Sequence, residues 1–482
     1  MYIARFILQT KTPLHCGGGS DPSLDQPVNR DSYGLWRIQG SSVAGILRSY
    51  VRDAEPKQED ILFGHHNASK TTSSNSTVDQ SASLVWCSDA LLLDFDENYA
   101  FKKIASGNDI GFSVGPFVRD HVNIDLEKGT ATDGGKYDEE IVPPGVKFAI
   151  ELKLDCWNEE LNSDKSDAFL KLCSAIKHGL IVFGGKTVSG YGKVKCTYAE
   201  VRELNLKSKD DLETYLNLSD SPVFADNEGR SVELLKVDEL TSKDDSLYTG
   251  KLFLPLVSSG PILVGGTNSK DSDVDMVCLM TPILDSNKHD YIYKYTIPGS
   301  SLRGVIRHRV FDILKALDKD NDKNDELNRI FGSVSGKNGS TGHVKCSDIY
   351  LDIDKSQHVQ HVAIDRFTGG AIDGALFDEA PIWESVLLLK TEIEFTDLNA
   401  LQTAVLMHAL LDICTGDAPI GGGTNRGNGV VRIKDLDKGI LTALQNVEAK
   451  VSRGKEILDV KDQAQLNQWL DDLDGELIKW QN

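Results

Sequence analysis

The chain has 482 residues and a formal net charge of −21, and 40% of its residues are hydrophobic. This length allows two or more domains with separate cores, and the composition is typical of a globular protein. The negative charge argues against a free-standing, non-specific nucleic-acid binder, although it allows a basic groove on an acidic body. Without a membrane-length apolar run or a signal-peptide pattern, we expect a cytoplasmic protein. The cysteines show no zinc or disulfide spacing, which favours buried thiols in a reducing compartment.

Apolar spacing predicts the same order of elements twice. In the first half it predicts a strand at 1–10, a glycine turn at 15–20, a strand at 35–38, a helix from Ser41, strands at 84–93 and 146–154, a helix at 164–178, a glycine loop at 184–192 and a strand at 193–198. In the second half it predicts a strand at 248–256, a glycine turn at 265–266, a helix from Ser300, strands at 345–351 and 386–395, a helix at 397–415, a glycine loop at 421–429 and a strand at 430–433. The matching order indicates a duplicated domain with different insertions.

Each repeat has the order strand, helix, strands, helix, strand, which is typical of a ferredoxin-like βαββαβ fold with insertions. We therefore predict an α+β protein with two tandem ferredoxin-like domains. The acidic, aperiodic stretch between them predicts a linker with some helix. The tail is acidic and is predicted to be helical, with Trp469 and Trp480 as candidate docking anchors. The predicted boundaries are 1–200 for the first domain, 201–245 for the linker, 246–435 for the second domain and 436–482 for the tail.

The clearest repeated sequence is a Gly-Ser-Ser turn that opens an amphipathic helix, at Gly40 and again 259 residues later at Gly299. Ser41 and Ser300 are predicted N-caps, and a helix start with open amides can bind an anion. The arginines on these helices are candidates for phosphate binding, because members four residues apart share one helix face. The alternative is a core helix whose arginines face water. These arginines are Arg48, Arg52, Arg303 and Arg307.

Taken together, these features resemble the RAMP proteins of CRISPR systems, specifically the backbone subunits of type III (Csm/Cmr-type) complexes. Each half has a glycine turn, an Asp upstream of the Gly-Ser-Ser helix, an Ile-Asp segment and a late glycine loop. The Ile-Asp segments begin at Ile124 and Ile364, and they are followed by Tyr137-Asp138-Glu139 and Phe377-Asp378-Glu379. The length and two-domain design are similar to the fused double backbone subunit of type III-D systems.

The resemblance implies subunits that pack side by side along a guide crRNA, with a thumb hairpin from each unit interrupting the guide–target duplex. It implies target-RNA cleavage by an Asp beside each thumb, with Mg²⁺ or another divalent cation. The ribose 2′-hydroxyl would attack the phosphate and leave a cyclic phosphate and a 5′-hydroxyl. The implied partners are guide and target RNA, a large polymerase-like subunit, further RAMP backbone and guide-tag-binding subunits, and a small helical subunit, with no membrane.

The resemblance assigns the catalytic and metal-binding roles to Asp25 and Asp275. A carboxylate there could deprotonate the 2′-hydroxyl or hold Mg²⁺ with its waters. The alternative is a turn Asp bonded to its own backbone, and the neighbouring Asp21 and Asp273 are close enough to be confused with these sites. His15 could reach the first site, but the second half has Val264 there, so we favour a local hydrogen-bonding role for His15.

The remaining RNA-binding candidates lie in the glycine loops and the second Ile-Asp segment. Lys186 and Arg426 lie in loops whose amides could cradle a bent RNA backbone, although these loops could also be simple turns. Arg366 and Phe367 could contribute to a thumb or stack on splayed bases.

Three alternative functions stay open from the sequence. One is a scaffold that binds guide and target RNA without cutting, and another is a guide-processing RAMP ribonuclease, which the tandem pattern disfavours. The third is an unrelated nucleotide-binding enzyme. Gly185-Lys186-Thr187 has the ending of a phosphate loop, but it lacks the upstream Gly and leads into a strand instead of a helix.

Overall fold

The computed structural model describes two α+β units joined in one chain. The described residues are 1–64, 81–155, 163–236, 244–258, 260–266, 274–317, 323–333, 339–353, 356–384, 386–439, 443, 447–454, 456–458, 468–469, 471–475 and 478. No helix within these ranges has the length and apolar character needed to cross a membrane. Asp273 and Trp480, which the sequence singles out, lie outside them.

The first unit is built on a sheet with the strand order β2-β4-β7-β1-β8-β9, and β3 also pairs with β7. Its strands are β1 (Tyr2–Thr10), β2 (Arg37–Ile38), β3 (Val85–Cys87), β4 (Ala90–Leu92), β5 (Val118–Ile124), β6 (Ala131–Glu140), β7 (Lys147–Leu154), β8 (Val194–Glu203) and β9 (Arg230–Val232). Its helices are α1 (Gly40–Ala54), α2 (Pro56–Phe63), α3 (Ala100–Ala105), α4 (Ser163–Lys177) and α5 (Lys209–Leu216). Strands β5 and β6 form a separate long hairpin, called hairpin 1 below.

The second unit repeats this plan with the strand order β15-β19-β10-β21-β22, and β20 also pairs with β10. Its strands are β10 (Tyr248–Ser258), β11 (Gly265–Gly266), β12 (Met276–Cys278), β13 (Met280–Asp285), β14 (Asp290–Ile297), β15 (Val344–Cys346), β16 (Ile349–Tyr350), β17 (Val359–Ile364), β18 (Ala371–Ala380), β19 (Leu387–Leu398), β20 (Val431–Ile433), β21 (Glu448–Arg453) and β22 (Glu456–Leu458). Its helices are α6 (Gly299–Leu317), α7 (Lys323–Phe331) and α8 (Ala400–Thr415). Strands β17 and β18 form hairpin 2.

Alternating side chains on β1 and β10 explain why these strands lie at the centre of the two sheets. Tyr2 and Phe6 of β1 point into one core, and Leu252 and Leu256 of β10 point into the other. Every second residue of a strand faces the same side, so each strand buries one full apolar row. The structure thus confirms an α+β fold in two repeated units, while the ferredoxin-like topology stays a prediction.

The segments predicted as linker and helical tail contribute strands to the two sheets. In the linker, β9 pairs with β8 at the edge of the first sheet. In the tail, β21 pairs with β10 and β22 pairs with β21, so the prediction of a helix is wrong over Glu448–Arg453 and Glu456–Leu458. Val447, Ala449 and Val451 alternate with polar residues, and this period of two favours a strand. Trp469 is buried against the second core, as an anchor would be.

An aspartate from a distant loop, and not a helix serine, caps each repeated helix. The backbone N–H of Gly40 donates to Asp89 Oδ1 at 2.7 Å, and that of Gly299 donates to Asp348 Oδ1 at 2.8 Å. The prediction that Ser41 and Ser300 are N-caps is therefore wrong, since α1 and α6 begin one residue earlier, at the glycines. The carboxylates occupy amides that were predicted to be open to an anion.

The capping aspartate is the last residue of a repeated Cys-Ser-Asp sequence that the sequence interpretation missed. Asp348 lies 259 residues after Asp89, the same offset that separates the helix glycines. The glycines Gly40 and Gly299 are required because each helix start packs on the carbonyl oxygen of the cysteine in its Cys-Ser-Asp sequence. A Cβ on Gly299 would lie 2.1 Å from the Cys346 oxygen and 2.5 Å from the Ser189 oxygen.

The second Cys-Ser-Asp sequence also joins the two units. Arg119, at the base of hairpin 1, places Nη2 2.7 Å from Asp348 Oδ2 and 2.7 Å from the hydroxyl of Thr281, and all three residues are buried. Burial alone would lower the pKa of Arg119, but the Asp348 carboxylate outweighs it and the pKa is raised. Asp348 therefore fixes a helix start and a hairpin base at once.

Replacing Asp348 with alanine removes the cap and leaves the Arg119 charge buried without its carboxylate. We expect Asp348→Ala to lower the free energy of unfolding by about 3–5 kcal/mol, as for other broken buried pairs. Asp89→Ala is the matched control and should cost about 1 kcal/mol, because Asp89 caps α1 and its ion pair with Arg37 is partly exposed. Urea unfolding followed by circular dichroism measures both, and equal small losses would contradict the role given to Asp348.

Candidate functional site

The two candidate catalytic aspartates lie at equivalent positions beside the bases of the two hairpins. Gln26 forms a parallel bridge with Glu139 of β6, and Met276 of β12 pairs in parallel with Glu379 of β18. Asp25 and Asp275 each directly precede these bridging residues. The same strand geometry therefore positions both side chains.

Each candidate carboxylate is held by a distant strand and not by its own turn. Asp25 Oδ2 accepts the backbone N–H of Asp138 at 3.0 Å, and Asp138 Oδ1 accepts the N–H of Asp25 at 2.7 Å. Asp275 Oδ2 accepts the N–H of Asp378 at 3.0 Å. Asp25 and Asp275 are both exposed. A fixed carboxylate open to solvent is suited to meet an incoming ligand.

Asp21 shows the local turn geometry that was the alternative for the candidates. Its Oδ1 accepts the hydroxyl of Ser23 at 2.6 Å and the backbone N–H of Ser23 at 2.7 Å. These two hydrogen bonds lower the pKa of Asp21, the hydroxyl contributing more. Asp21 is therefore a turn residue, which separates it from Asp25.

A buried glutamate at the base of hairpin 1 collects three cationic or titratable partners. Glu139 is fully buried, with Lys186 Nζ 3.0 Å from Oε1, His121 Nε2 3.0 Å from Oε2 and His15 Nδ1 3.5 Å from Oε1. Burial would raise the pKa of Glu139, but the His121 hydrogen bond and the Lys186 charge outweigh it and lower the pKa. Lys186 therefore ties the glycine loop to the hairpin.

Hairpin 2 has the same buried glutamate with a different set of partners. Glu379 pairs with Arg426 of the second glycine loop and with His361 Nε2 at 3.2 Å. His361 stacks on Phe377 as His121 stacks on Tyr137, with ring centroids 4.9 and 5.0 Å apart. Each glycine loop thus supplies one cation to the buried glutamate of its hairpin. The cation is a lysine in one loop and an arginine in the other, and the two lie at different positions of their loops.

These clusters contain structurally important residues that the sequence interpretation did not single out. The Tyr-Asp-Glu and Phe-Asp-Glu segments had been noted only as landmarks, without a role for their glutamates. His121 and His361 were not singled out, although they lie 240 residues apart, as do Asp125 and Asp365. That shared offset was the available signal. The sequence could not predict that Glu139 and Glu379 need a cation, because it does not show that they are buried.

His15 has the local role that the sequence favours. It is buried, and its Nδ1 donates to the carbonyl oxygen of Glu140 at 2.9 Å. The imidazole therefore supports the hairpin base from the side of the core.

Three of the four candidate arginines, Arg48, Arg52 and Arg303, contact other groups of the chain. Arg48 Nε lies 2.7 Å from Glu59, and Arg52 Nε lies 3.8 Å from the same carboxylate. Arg303 donates to the carbonyl oxygens of Phe331 and Val344, which gives it a structural role inside the second unit. Burial lowers the pKa of both Arg303 and Arg307. Phosphate binding by these residues stays a prediction.

The hairpin tips carry Arg366 and Phe367 to solvent. Asp365 Oδ1 accepts the N–H groups of Phe367 and Thr368, as Asp125 Oδ1 does in the first tip for its own turn. Phe367 is 84% exposed, and the Arg366 guanidinium lies 4.9 Å from its ring centroid. This pair is available for stacking on a base.

A divalent cation would have to share its coordination with a ligand. Within the described ranges, no group of three or more His, Cys, Asp or Glu side chains is placed to hold a metal ion. Mg²⁺ is often bound by one or two carboxylates with waters and substrate phosphates completing the octahedron. An exposed carboxylate at Asp25 or Asp275 fits that arrangement.

Comparison with known proteins finds a family profile and a curated relative that match this chain. A family profile described as "RAMP superfamily" matches residues 7–195 and 280–432. The curated protein "CRISPR system Cms endoribonuclease Csm3" from Methanocaldococcus jannaschii is 25% identical over 244 residues, which is 43% of this chain and 87% of the relative.

Two solved structures are also similar to the chain. They are "Type III-B Cmr-beta Cryo-EM structure of the Apo state" and "Cryo-EM structure of the Type III-B Cmr-beta bound to cognate target RNA". They are 19% and 18% identical, with TM-scores of 0.29 and 0.28. Each match covers 40% of this chain and 96% of the chain in the solved structure.

The ion cluster around Glu139 predicts an acid-sensitive hairpin base. A lowered carboxyl pKa contributes stability that is present above the unfolded pKa and is lost as pH falls through the folded pKa. We expect Glu139→Gln to be about 1–3 kcal/mol less stable at pH 7 and to lose less further stability between pH 7 and 4 than the wild type. Unfolding in urea at both pH values measures this. The exposed Glu127→Gln is the control, and the same pH response in Glu139→Gln and wild type would refute the prediction.

Proposed function

The chain belongs to the RAMP superfamily, and from this we propose that it is a backbone subunit of a type III CRISPR effector complex. In this role it binds guide RNA and cleaves complementary target RNA at two positions. The observation that carries the proposal is the pair of equivalent, exposed aspartates at the bases of two long hairpins. The similarity to a relative named as an endoribonuclease supports the same activity.

The two hairpins are the proposed thumbs. They extend from buried ion clusters, which fix their direction, and hairpin 2 ends in an exposed arginine–phenylalanine pair. Stacking on aromatic and guanidinium groups suits splayed bases, as expected where a thumb interrupts a duplex. Lys186 and Arg426 pair with the buried glutamates Glu139 and Glu379 in the free chain. Their proposed contribution to RNA binding is therefore to position the glycine loops, whose amides would contact the RNA backbone.

The junction between the two units is a template for packing against a neighbouring subunit. The turn of the first glycine loop, Thr187–Ser189, lies against the start of α6, and His308 Nε2 lies 2.9 Å from the Leu126 oxygen at the tip of hairpin 1. The second glycine loop has the same turn at Thr424–Arg426. We propose that a further RAMP backbone subunit docks there, as in a fused type III-D chain, beside the polymerase-like, guide-tag-binding and small helical subunits.

The proposed reaction is attack of a target-RNA 2′-hydroxyl on the adjacent phosphate. Asp25 and Asp275 each accept the hydroxyl proton while a hydrogen bond from hairpin strand β6 or β18 keeps the carboxylate aimed at the backbone. A bound Mg²⁺ would stabilise the charge that develops on the phosphate oxygens. The exposed thumb residues hold the flanking bases apart so that the ribose can rotate into line.

A scaffold without nuclease activity is the second candidate. The observation that favours it is the lack, in the described part of the chain, of a three-residue metal-binding group. Under this alternative, Asp25 and Asp275 have only a structural role. Each joins its own segment of the chain to a hairpin strand, β6 or β18. Guide and target binding would be unchanged, and the nuclease would be another subunit.

Isosteric substitution separates the two candidates. We expect Asp25→Asn and Asp275→Asn in the guide-loaded complex each to abolish one cut, because an amide cannot accept the hydroxyl proton. The loss should be at least about 100-fold, the lower end for a general base. Cleavage of end-labelled target RNA maps the cuts, and a filter assay checks guide binding, which should be unchanged. Persistence of both cuts in the double variant would leave the scaffold as the answer.

Removal of divalent cations tests the proposed cofactor. With each site offering one exposed carboxylate, we expect weak binding of Mg²⁺, so EDTA should stop both cuts and excess Mg²⁺ should restore them. Nucleotide triphosphates should have no effect, which also tests the nucleotide-binding alternative from the sequence. Equal cleavage with and without EDTA would exclude a metal-assisted step.

A further inference from the structure

The two proposed sites differ in one exposed side chain at the edge of the hairpin. His358, one residue before β17, has its Nε2 3.1 Å from Asp378 Oδ2, and its side chain is 51% exposed. Its position is anchored by the neighbouring Gln357, whose N–H donates to the Pro381 oxygen at 2.9 Å. Applying the 240-residue offset, the first unit has Val118 at this place. An imidazole is thus present beside the second site and replaced by an aliphatic side chain beside the first.

Asp378 links His358 to the candidate catalytic carboxylate. Its side chain contacts the imidazole, and its backbone N–H donates to Asp275 Oδ2 at 3.0 Å. In hairpin 2 the residue opposite Asp378 is the neutral Gln360, whereas in hairpin 1 the residue opposite Asp138 is Asp120. The second site therefore has an imidazole beside its carboxylates. The first site has Val118 in place of the imidazole, and its Asp120 Oδ2 lies 3.7 Å from Lys136 Nζ.

The other histidines at the hairpin bases are committed elsewhere. His15 and His121 face the buried Glu139, and His361 faces the buried Glu379. Because successive residues of a strand point to opposite faces, Glu379 lies on the face of β18 away from Asp378. Among the described histidines at these bases, His358 combines exposure with contact to the strand residue that holds a candidate aspartate.

We propose that His358 is a catalytic residue of the second site, where its imidazolium protonates the leaving 5′-oxygen of the target RNA. The inference rests on the proposed nuclease function. Asp275 takes the 2′-hydroxyl proton as the bond from O2′ to phosphorus forms. As the bond from phosphorus to O5′ breaks, Nδ1–H of the imidazolium gives its proton to O5′, while Nε2–H stays bonded to Asp378. The products are a cyclic phosphate, a 5′-hydroxyl and a neutral imidazole.

This assignment makes the two cuts respond differently to pH. The charged groups facing His358 are Asp378 in contact with it and Asp275 beyond, while Glu379, Arg426 and His361 form the cluster on the opposite face of β18. A general acid works only in its protonated form, so the second cut should lose rate relative to the first as pH rises. The first cut has no such group, so the ratio of the second rate to the first should fall with rising pH.

The test measures both cuts in the same guide-loaded complex, at several pH values, with wild type and His358→Gln. Glutamine keeps an N–H donor for Asp378 but cannot act as an acid, so the first cut is an internal control for assembly and RNA binding. We expect His358→Gln to slow the second cut about 100-fold, the lower end for an acid–base group. The first cut should be unchanged, and the rate ratio should become independent of pH.

Each other outcome overturns a stated part of the account. If both cuts occur and the rate ratio is the same in wild type and His358→Gln at every pH, His358 is not the acid and the proposed nuclease function stands. Equal slowing of both cuts would show a structural role for His358 and also refute the inference. If the wild-type complex makes neither cut, the proposed function fails and the inference fails with it.

Discussion

The structure depends most on one buried carboxylate, Asp348. One oxygen caps the start of α6 and the other pairs with Arg119 from the base of hairpin 1. A buried charge without a partner would be strongly destabilising, so the first unit must present its hairpin base to the second in one orientation. The same contact joins the base of hairpin 1 to the start of α6. In the proposed function, this contact would hold the two candidate sites together within one chain.

Strand alternation then converts this scaffold into a candidate site. On β6, Glu139 points inward and requires cations, while the adjacent Asp138 points outward and holds Asp25. The same alternation on β18 places Glu379 inward and leaves Asp378 at the exposed edge. Structural and chemical roles are thus divided between neighbouring residues of one strand. Loss of the buried charge would disturb the site without touching the reacting groups.

The sequence predicted the repeat and both central strands, because these follow from local pattern and residue order. The pairing of Asp25 with Asp275 came from the resemblance to RAMP proteins. It could not predict which carboxylate caps α6, since Asp348 is distant in sequence and Ser300 looked sufficient. It also could not show that Arg303 serves backbone carbonyls, because donors on a helix face look alike until their neighbours are known. The strand at Glu448–Arg453 was predictable from its period of two, which the prediction of a helical tail overlooked.

The measurement that tests the central claim most directly is mapping of wild-type cleavage on a complementary target RNA at nucleotide resolution. Two rigidly joined units predict two cuts whose separation stays constant when the target sequence is changed and the guide is changed to match. A constant separation would show that the protein, and not the RNA sequence, sets the sites. A single cut, or a separation that varies with sequence, would contradict two equivalent sites in one chain.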